Sequence, residues 1–200
     1  MTASFSETYL TEVLQIIESL DRAAIEQMVD VLADVRAQGS RVFVLGVGGG
    51  AGHASHAVGD LRKVAGIEAY APSDNVTELT ARVNDDGWET TYAAWLEGSR
   101  LRAGDVVFVM SVGGGDLKRN ISPNLVRAME YARKVRARII GIVGRDGGYT
   151  ARVADACAIV PTVNKDRVTA HTEAFQAVIW HLLISHPKLQ SASMKWESVQ

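Results

Sequence analysis

The chain has 200 residues, 47 % of them apolar, and a formal charge of −2 at pH 7. One α/β domain fills that length with a complete core, and the near-neutral charge excludes the electrostatic footprint of a nucleic-acid or membrane-surface binder. The one cysteine, Cys157, rules out an internal disulfide; in the apolar run Ala156 to Val160 it reads as a buried, inert thiol. No basic segment leads into an apolar one at the N-terminus, and no apolar run approaches the roughly 18 residues of a membrane span, so a cytoplasmic protein is expected.

Residues 6–20 carry apolar side chains close to a 3.6-residue period and predict a helix. Asp21 is a natural N-cap for a second helix, 22–38, and Gly39 a natural C′ residue. The first helix has no strand partner of its own, which points to packing against another subunit or over the sheet. Arg41 to Leu45 is the first strand, followed by a glycine-rich loop and a helix from about 52 to 65. Ile67 to Ala71 predicts a short strand, Pro72-Ser73-Asp74 a turn and Asn75 to Val83 a helix broken by Asn84-Asp85-Asp86-Gly87. Trp88 to Arg100 predicts another amphipathic helix. Asp105 to Met110 is apolar on both faces, as parallel strands covered on both sides are. A second glycine loop begins at Ser111, and Ser122 as N-cap with Pro123 at N1 opens a helix to about 136. Ala137 to Val143, a turn at 145–148, a short helix Tyr149 to Val153 and a strand Cys157 to Val160 follow. After an irregular stretch the last helix runs from about 169 to 185, and 188–200 reads as a frayed tail. Strands alternating with helices give a three-layer, doubly wound, flavodoxin-like α/β domain over 1–200, with a five-stranded parallel sheet and extra N-terminal helices at 1–38.

Two features carry chemistry. The first is Val42 to Leu61, where five glycines fall within residues 46–52 between a strand and a helix. A strand, glycine loop and helix N-terminus form an anion site, because the backbone approaches closely and the first N–H groups are free. The loop is neither a Walker loop, since no Lys-Ser/Thr follows, nor a complete dinucleotide fingerprint, since residue 51 is alanine. It also reads as a tight strand–helix turn. His56 and Asp60 lie one turn apart on that helix, the spacing of a shared site and equally of a surface ion pair. The second feature is the last helix, where Glu173 and His181 share roughly one face of an otherwise apolar element and need partners. Two histidines and two carboxylates make an N₂O₂ set suited to a borderline metal such as Zn²⁺. His53, His171 and His186 read as bystanders.

Taken in order, the motifs resemble the SIS (sugar isomerase) family, and within it the sedoheptulose 7-phosphate (phosphoheptose) isomerases. They are Gly46-x-Gly-Gly leading to His56-x-x-x-Asp60-Leu61, Ser73-Asp-Asn75 with Leu79-Thr80, Asn84-Asp85, the Ser111 loop ending in Ser122-Pro-Asn124, Gly144-x-Asp-Gly-Gly148, and an acid or amide eight residues before His181. The resemblance implies a homotetramer with shared active sites, in which the N-terminal helices assist assembly. It implies conversion of sedoheptulose 7-phosphate to D-glycero-D-manno-heptose 7-phosphate through an enediol, for heptose biosynthesis. It implies one zinc ion held by His56, Asp60, Glu173 and His181, with Asp60 as base and His181 as acid. It places substrate against Gly48, Gly49, Gly50, Asn84, Asp85, Ser111, Gly113, Gly114, Ser122 and Glu173.

This chain also departs from the family. Asp60 replaces a Glu, and Glu173 a Gln. The family's Gly-Asn-Gly-Gly-Ser is Gly46-Val-Gly-Gly-Gly50 here. Its hydroxyl-rich phosphate loop is Ser111-Val-Gly-Gly-Gly, with about six residues inserted before Ser122. Lys118 and Arg119 are candidate cationic replacements for the lost hydroxyls, or two solvated charges on an exposed loop. Two other functions compete: a non-enzymatic SIS binding protein, like members that bind the replication initiator, and an isomerase of a different phosphosugar.

Overall fold

The computed structural model describes residues 3–199. Five strands form one parallel sheet in the order β2-β1-β3-β4-β5: β1 (Arg41–Gly46), β2 (Glu68–Tyr70), β3 (Val106–Ser111), β4 (Arg138–Val143) and β5 (Ala156–Ile159). Alternate strand residues feed two cores. Val42, Val44, Phe108 and Ile140 face α2 (Arg22–Ala37), α3 (Gly49–Lys63) and α8 (Val168–Ser185). Phe43, Leu45, Val107 and Ile139 face α5 (Thr91–Gly98) and α6 (Pro123–Lys134). Burial on both faces explains why the strands read as continuous apolar runs. The sheet order reverses direction between β1 and β3, so the cleft above their carboxyl ends is the switch point where such folds bind ligands.

Several boundaries differ from the expected ones. α3 starts at Gly49 rather than near 52, because Gly48 at φ 60° serves as its N-cap and the following glycines form its first turn. Gly49 and Gly50, expected in the loop, are therefore helix. α4 (Val76–Asp86) continues through Asn84-Asp85-Asp86 and ends only at Gly87, at φ 82°. The helix expected at Trp88 to Arg100 is trimmed to α5. Ser122 occupies the N-cap of α6 with a left-handed backbone (φ 47°), a geometry in which its hydroxyl caps no backbone N–H. The short α7 (Gly148–Val153) fits its expectation. The C-terminal segment is anchored through its first half. Leu189 is buried, Ser191 donates through N and Oγ to the Val64 carbonyl, and Arg36 donates to the Lys188 and Leu189 carbonyls.

α1 (Phe5–Ser19) opens with a capping box between Ser4 and Glu7. It buries Ile16 and Glu12, while Phe5, Leu10 and Leu14 stay 69, 62 and 60 % exposed. Glu12 docks α1 onto the start of α8. Its carboxylate accepts from Asn164 Nδ2 (2.7 Å), from Arg167 Nε and Nη2 (2.9 and 2.6 Å) and from His171 Nε2 (2.7 Å). His171, expected to be a bystander, is thus a buried structural partner that helps set the helix carrying Glu173 and His181.

Candidate active site

α3 and α8 pack side by side, pointing the same way. Near their starts the Glu173 carboxylate lies against Gly49; two turns on, His181 meets His56 and Asp60. Asp60 Oδ2 is 3.6 Å from His56 Nε2 and 3.9 Å from His181 Nε2. Donor atoms of these three residues all fall within 4.8 Å of one another, close enough that together they could hold a metal ion. The imidazole of His181 is oriented by its backbone. Its Nδ1 lies 2.8 Å from the Ala177 carbonyl, an acceptor, so Nδ1 donates there and Nε2 is the nitrogen turned toward Asp60. The His56 ring stands edge-on to Trp180, with centroids 4.6 Å apart. Two imidazole nitrogens and a carboxylate oxygen suit a catalytic zinc-type ion, which uses three protein ligands and keeps one position open.

Glu173 is not part of this group. It shares a helix face with His181, but eight residues of helix separate their Cα atoms by about 12 Å. Its carboxylate instead occupies the space a side chain at position 49 would need, which places it at the start of α3, away from the triad. Asn84 and Asp85 lie on the exposed last turn of α4, with Asn84 Nδ2 donating to Asp85 Oδ1 at 2.8 Å, outside both the triad and the cavity described next.

At the switch point a cavity of about 230 Å³ is bounded by Val47, Gly50, Ser111, Gly113, Ser122 and two arginines, Arg119 and Arg145. Of the expected contacts it gathers Gly50, Ser111, Gly113 and Ser122. Gly48, Gly49 and Gly114 are not on its wall, and neither is Lys118. Gly114, at φ 69°, lies against the Gly147 carbonyl, so its role is to let the loops after β3 and β4 touch. Ser111 Oγ accepts from the Gly114 N–H at 3.1 Å, which folds the loop and leaves the hydroxyl proton available. Arg145 was passed over in the sequence; a cation at the variable position of Gly144-x-Asp-Gly-Gly148 was the available signal. A larger hollow of about 450 Å³ runs along β2, but it reaches Arg41 at the opposite end of β1. That arginine is committed to buried Asp105, with Nη2 to Oδ2 at 2.7 Å, so it is not a free anchor for a ligand.

Gly50 explains one departure in the first loop. A Cβ at this position would collide with the Met110 carbonyl. Restoring the family's serine as Gly50→Ser is therefore expected to lower stability by about 1–3 kcal/mol through overpacking, without gain of ligand affinity. Denaturant unfolding checks this, and a variant as stable as the parent contradicts it.

The SIS domain profile matches residues 7–144 of this chain. Phosphoheptose isomerase of Geotalea daltonii is 34 % identical over 149 residues, covering 72 % of this chain and 74 % of that protein. Phosphoheptose isomerase of Helicobacter hepaticus is 31 % identical, covering 80 % and 79 %. The chain belongs to the SIS domain family. The solved structure of phosphoheptose isomerase from Neisseria gonorrhoeae superposes with a TM-score of 0.76 at 22 % identity, over 91 % of this chain and 98 % of that one, which shows the shared SIS fold. Among the described residues no helix of this SIS protein is long and apolar enough to cross a membrane.

Cys157 is half-buried rather than fully buried as expected, and partial burial still pushes its thiol up to about 12, consistent with an unreactive sulfur. The Arg119 guanidinium beside Asp116 holds that carboxyl below the ordinary carboxylate range.

Proposed function

We propose that this SIS protein is a phosphosugar aldose–ketose isomerase, interconverting sedoheptulose 7-phosphate and D-glycero-D-manno-heptose 7-phosphate. The observation that carries the reading is the convergence of His56, Asp60 and His181 near a switch-point cavity that carries two arginines and two hydroxyls. The named relatives support the substrate class. The reaction needs no external oxidant. A base removes the proton from C1 of the ketose, the enediol forms, and the proton returns to C2 while the hydroxyl protons exchange between O1 and O2. Asp60 is assigned the carbon-bound proton, and His181 protonates and deprotonates the sugar oxygens from its Nε2 side. His56, Asp60 and His181 would hold the zinc ion, which supplies charge stabilisation for the oxygens of the enediolate when bound. Glu173, with its carboxylate against Gly49 at the start of α3, is assigned to the sugar hydroxyls between the phosphate and the reacting carbons.

NMR with sedoheptulose 7-phosphate tests this directly. Formation of the aldose, with proton exchange at C1, is expected of zinc-replete protein. No turnover, with Asp60→Asn indistinguishable from the parent, overturns it. The glycine-rich, lengthened loop at 111–122 favours one second reading, an isomerase of another phosphosugar, and a panel of ketose phosphates in the same assay separates the two.

The oligomer belongs to the same proposal. Leu10, Leu14 and Ile17 form an exposed apolar strip on a helix whose opposite side docks to α8 through Glu12. A second copy of the chain, in a homotetramer, covers it. Leu10→Glu with Leu14→Glu is expected to reduce the mass measured by light scattering to that of a smaller species, with the fold retained. An unchanged mass rejects α1 as the interface.

A further inference from the structure

We propose that Arg145 is the residue that grips the phosphate of the ligand in the switch-point cavity, and so sets the preference for phosphorylated over free sugars. The inference rests on reading this cavity as the phosphate end of the substrate site. Two guanidinium groups line it, and they differ in availability. Arg119 donates from Nε to Asp116 Oδ2 at 2.7 Å, and Asp116 also accepts from the backbone N–H groups of Lys118 and Arg119. An antiparallel bridge between Asp116 and Ile121 closes this hairpin on itself. The charge of Arg119 is therefore largely neutralised within its own loop.

Arg145 has no carboxylate within ion-pair distance among the described residues, so it carries the uncompensated positive charge of the cavity. Its position is held firmly. The backbone sits in the left-handed region at φ 56°, which costs a non-glycine residue and persists only where its surroundings enforce it. Here they do: Gly144 N–H donates to Val112 O, Tyr149 N–H to Gly115 O and Thr150 N–H to Gly114 O, stitching the turn to the loop after β3. The Arg145 Cδ lies 3.6 Å from where a Cβ on Gly113 would be, so its stem runs over that glycine toward the cavity. The free hydroxyl protons of Ser111 and Ser122 lie on the same wall. A planar guanidinium that donates to two phosphate oxygens, with two hydroxyls on the rest, performs what a hydroxyl-rich loop performs elsewhere.

Arg145 also borders a neighbouring hollow of about 450 Å³ that contains Lys165. The test must therefore separate the two sides. Titration calorimetry with inorganic phosphate and with sedoheptulose 7-phosphate is run on zinc-replete parent, Arg145→Ala, Arg145→Asn, Arg119→Ala and Lys165→Ala. Arg145→Asn tolerates the left-handed backbone and guards against a misfolded turn. Both Arg145 variants are expected to weaken phosphate binding by roughly 10- to 100-fold, the range for a hydrogen bond to a charged group. Arg119→Ala and Lys165→Ala are expected to stay within about threefold, since one charge is already paired and the other is exposed. In turnover, the Arg145 variants raise KM and spare kcat.

Parent-like binding by both Arg145 variants overturns the inference, as does a parent that fails to bind phosphate, or a loss confined to Lys165→Ala. The isomerase reading fails separately. A parent that binds phosphate through Arg145 but leaves sedoheptulose 7-phosphate unchanged retains the inference and loses that substrate. A parent that turns it over with KM unaffected in both Arg145 variants does the reverse.

Discussion

Asp60→Asn leaves the fold unchanged and lowers turnover of sedoheptulose 7-phosphate by roughly 10²- to 10⁴-fold, the usual contribution of a positioned general base. The side chain keeps its volume and loses its charge. It sits partly exposed on α3, within 4 Å of two histidine nitrogens and with no hydrogen bond that stabilises the core. Circular dichroism and thermal midpoint should match the parent, while zinc content after dialysis falls with activity, because one of three donors has become neutral. His181→Ala is expected to act in the same direction. The two losses should not add, since both residues serve one centre. An Asp60→Asn protein that retains full turnover removes Asp60 from the chemistry whatever its zinc content.

The second large effect is on stability and its pH dependence. Glu12→Gln breaks the contact between α1 and the start of α8, leaving buried His171 and partly buried Arg167 without a carboxylate. In the parent, hydrogen bonds from Arg167 and then His171 hold the Glu12 carboxyl well below its ordinary 4.5. The sign follows from linkage. The unfolded chain takes up this proton near 4.5 and the folded chain only far below it, so the stabilisation is complete above 4.5. It is lost as pH falls through and below that value. Parent protein should therefore lose thermal stability progressively on acidification. Glu12→Gln should be less stable at neutral pH and should lack that component of the acid dependence. Midpoints from neutral pH down to about 3 decide the matter. Parallel curves for the two proteins would falsify the assignment.

Much of the fold was legible in the sequence because both halves of the argument are local. Apolar runs such as Val106 to Met110 need cover on both faces, and Asp21, Gly39 and Pro123 mark helix ends by chemistry their neighbours do not change. The misreadings occurred where the tertiary environment outweighs composition. The glycines at 49 and 50 look like loop, yet Gly50 packs under the Met110 carbonyl and the segment coils as helix. Asn84-Asp85-Asp86 looks like a breaker, but polar residues continue a helix that has no fully buried residue, so their own side chains stay in water. The site divided in the same way. His56 and Asp60 are one turn apart and their proximity can be counted, and His181 joins them because α3 and α8 pack together. Glu173 shared a face by the same counting but lies two turns away, and a period says nothing about axial position. Arg145 was hidden because its importance comes from what Arg119 has already spent, and pairing between loops is not written in either one.

The side-by-side packing of α3 on α8 has a last implication. One rigid helix carries Gly50 at the cavity and His56 with Asp60 at the reacting end. At 1.5 Å of rise per residue, those points are separated by about 9 to 15 Å along its axis. On the proposed function the helix would act as a gauge of carbon-chain length, since a phosphosugar too short to span it could occupy one end or the other but not both. Selectivity for long sugars is then a property of turn counting. A single residue inserted between Gly52 and His56 should reset the gauge, turning the histidine away from His181 by about 100°.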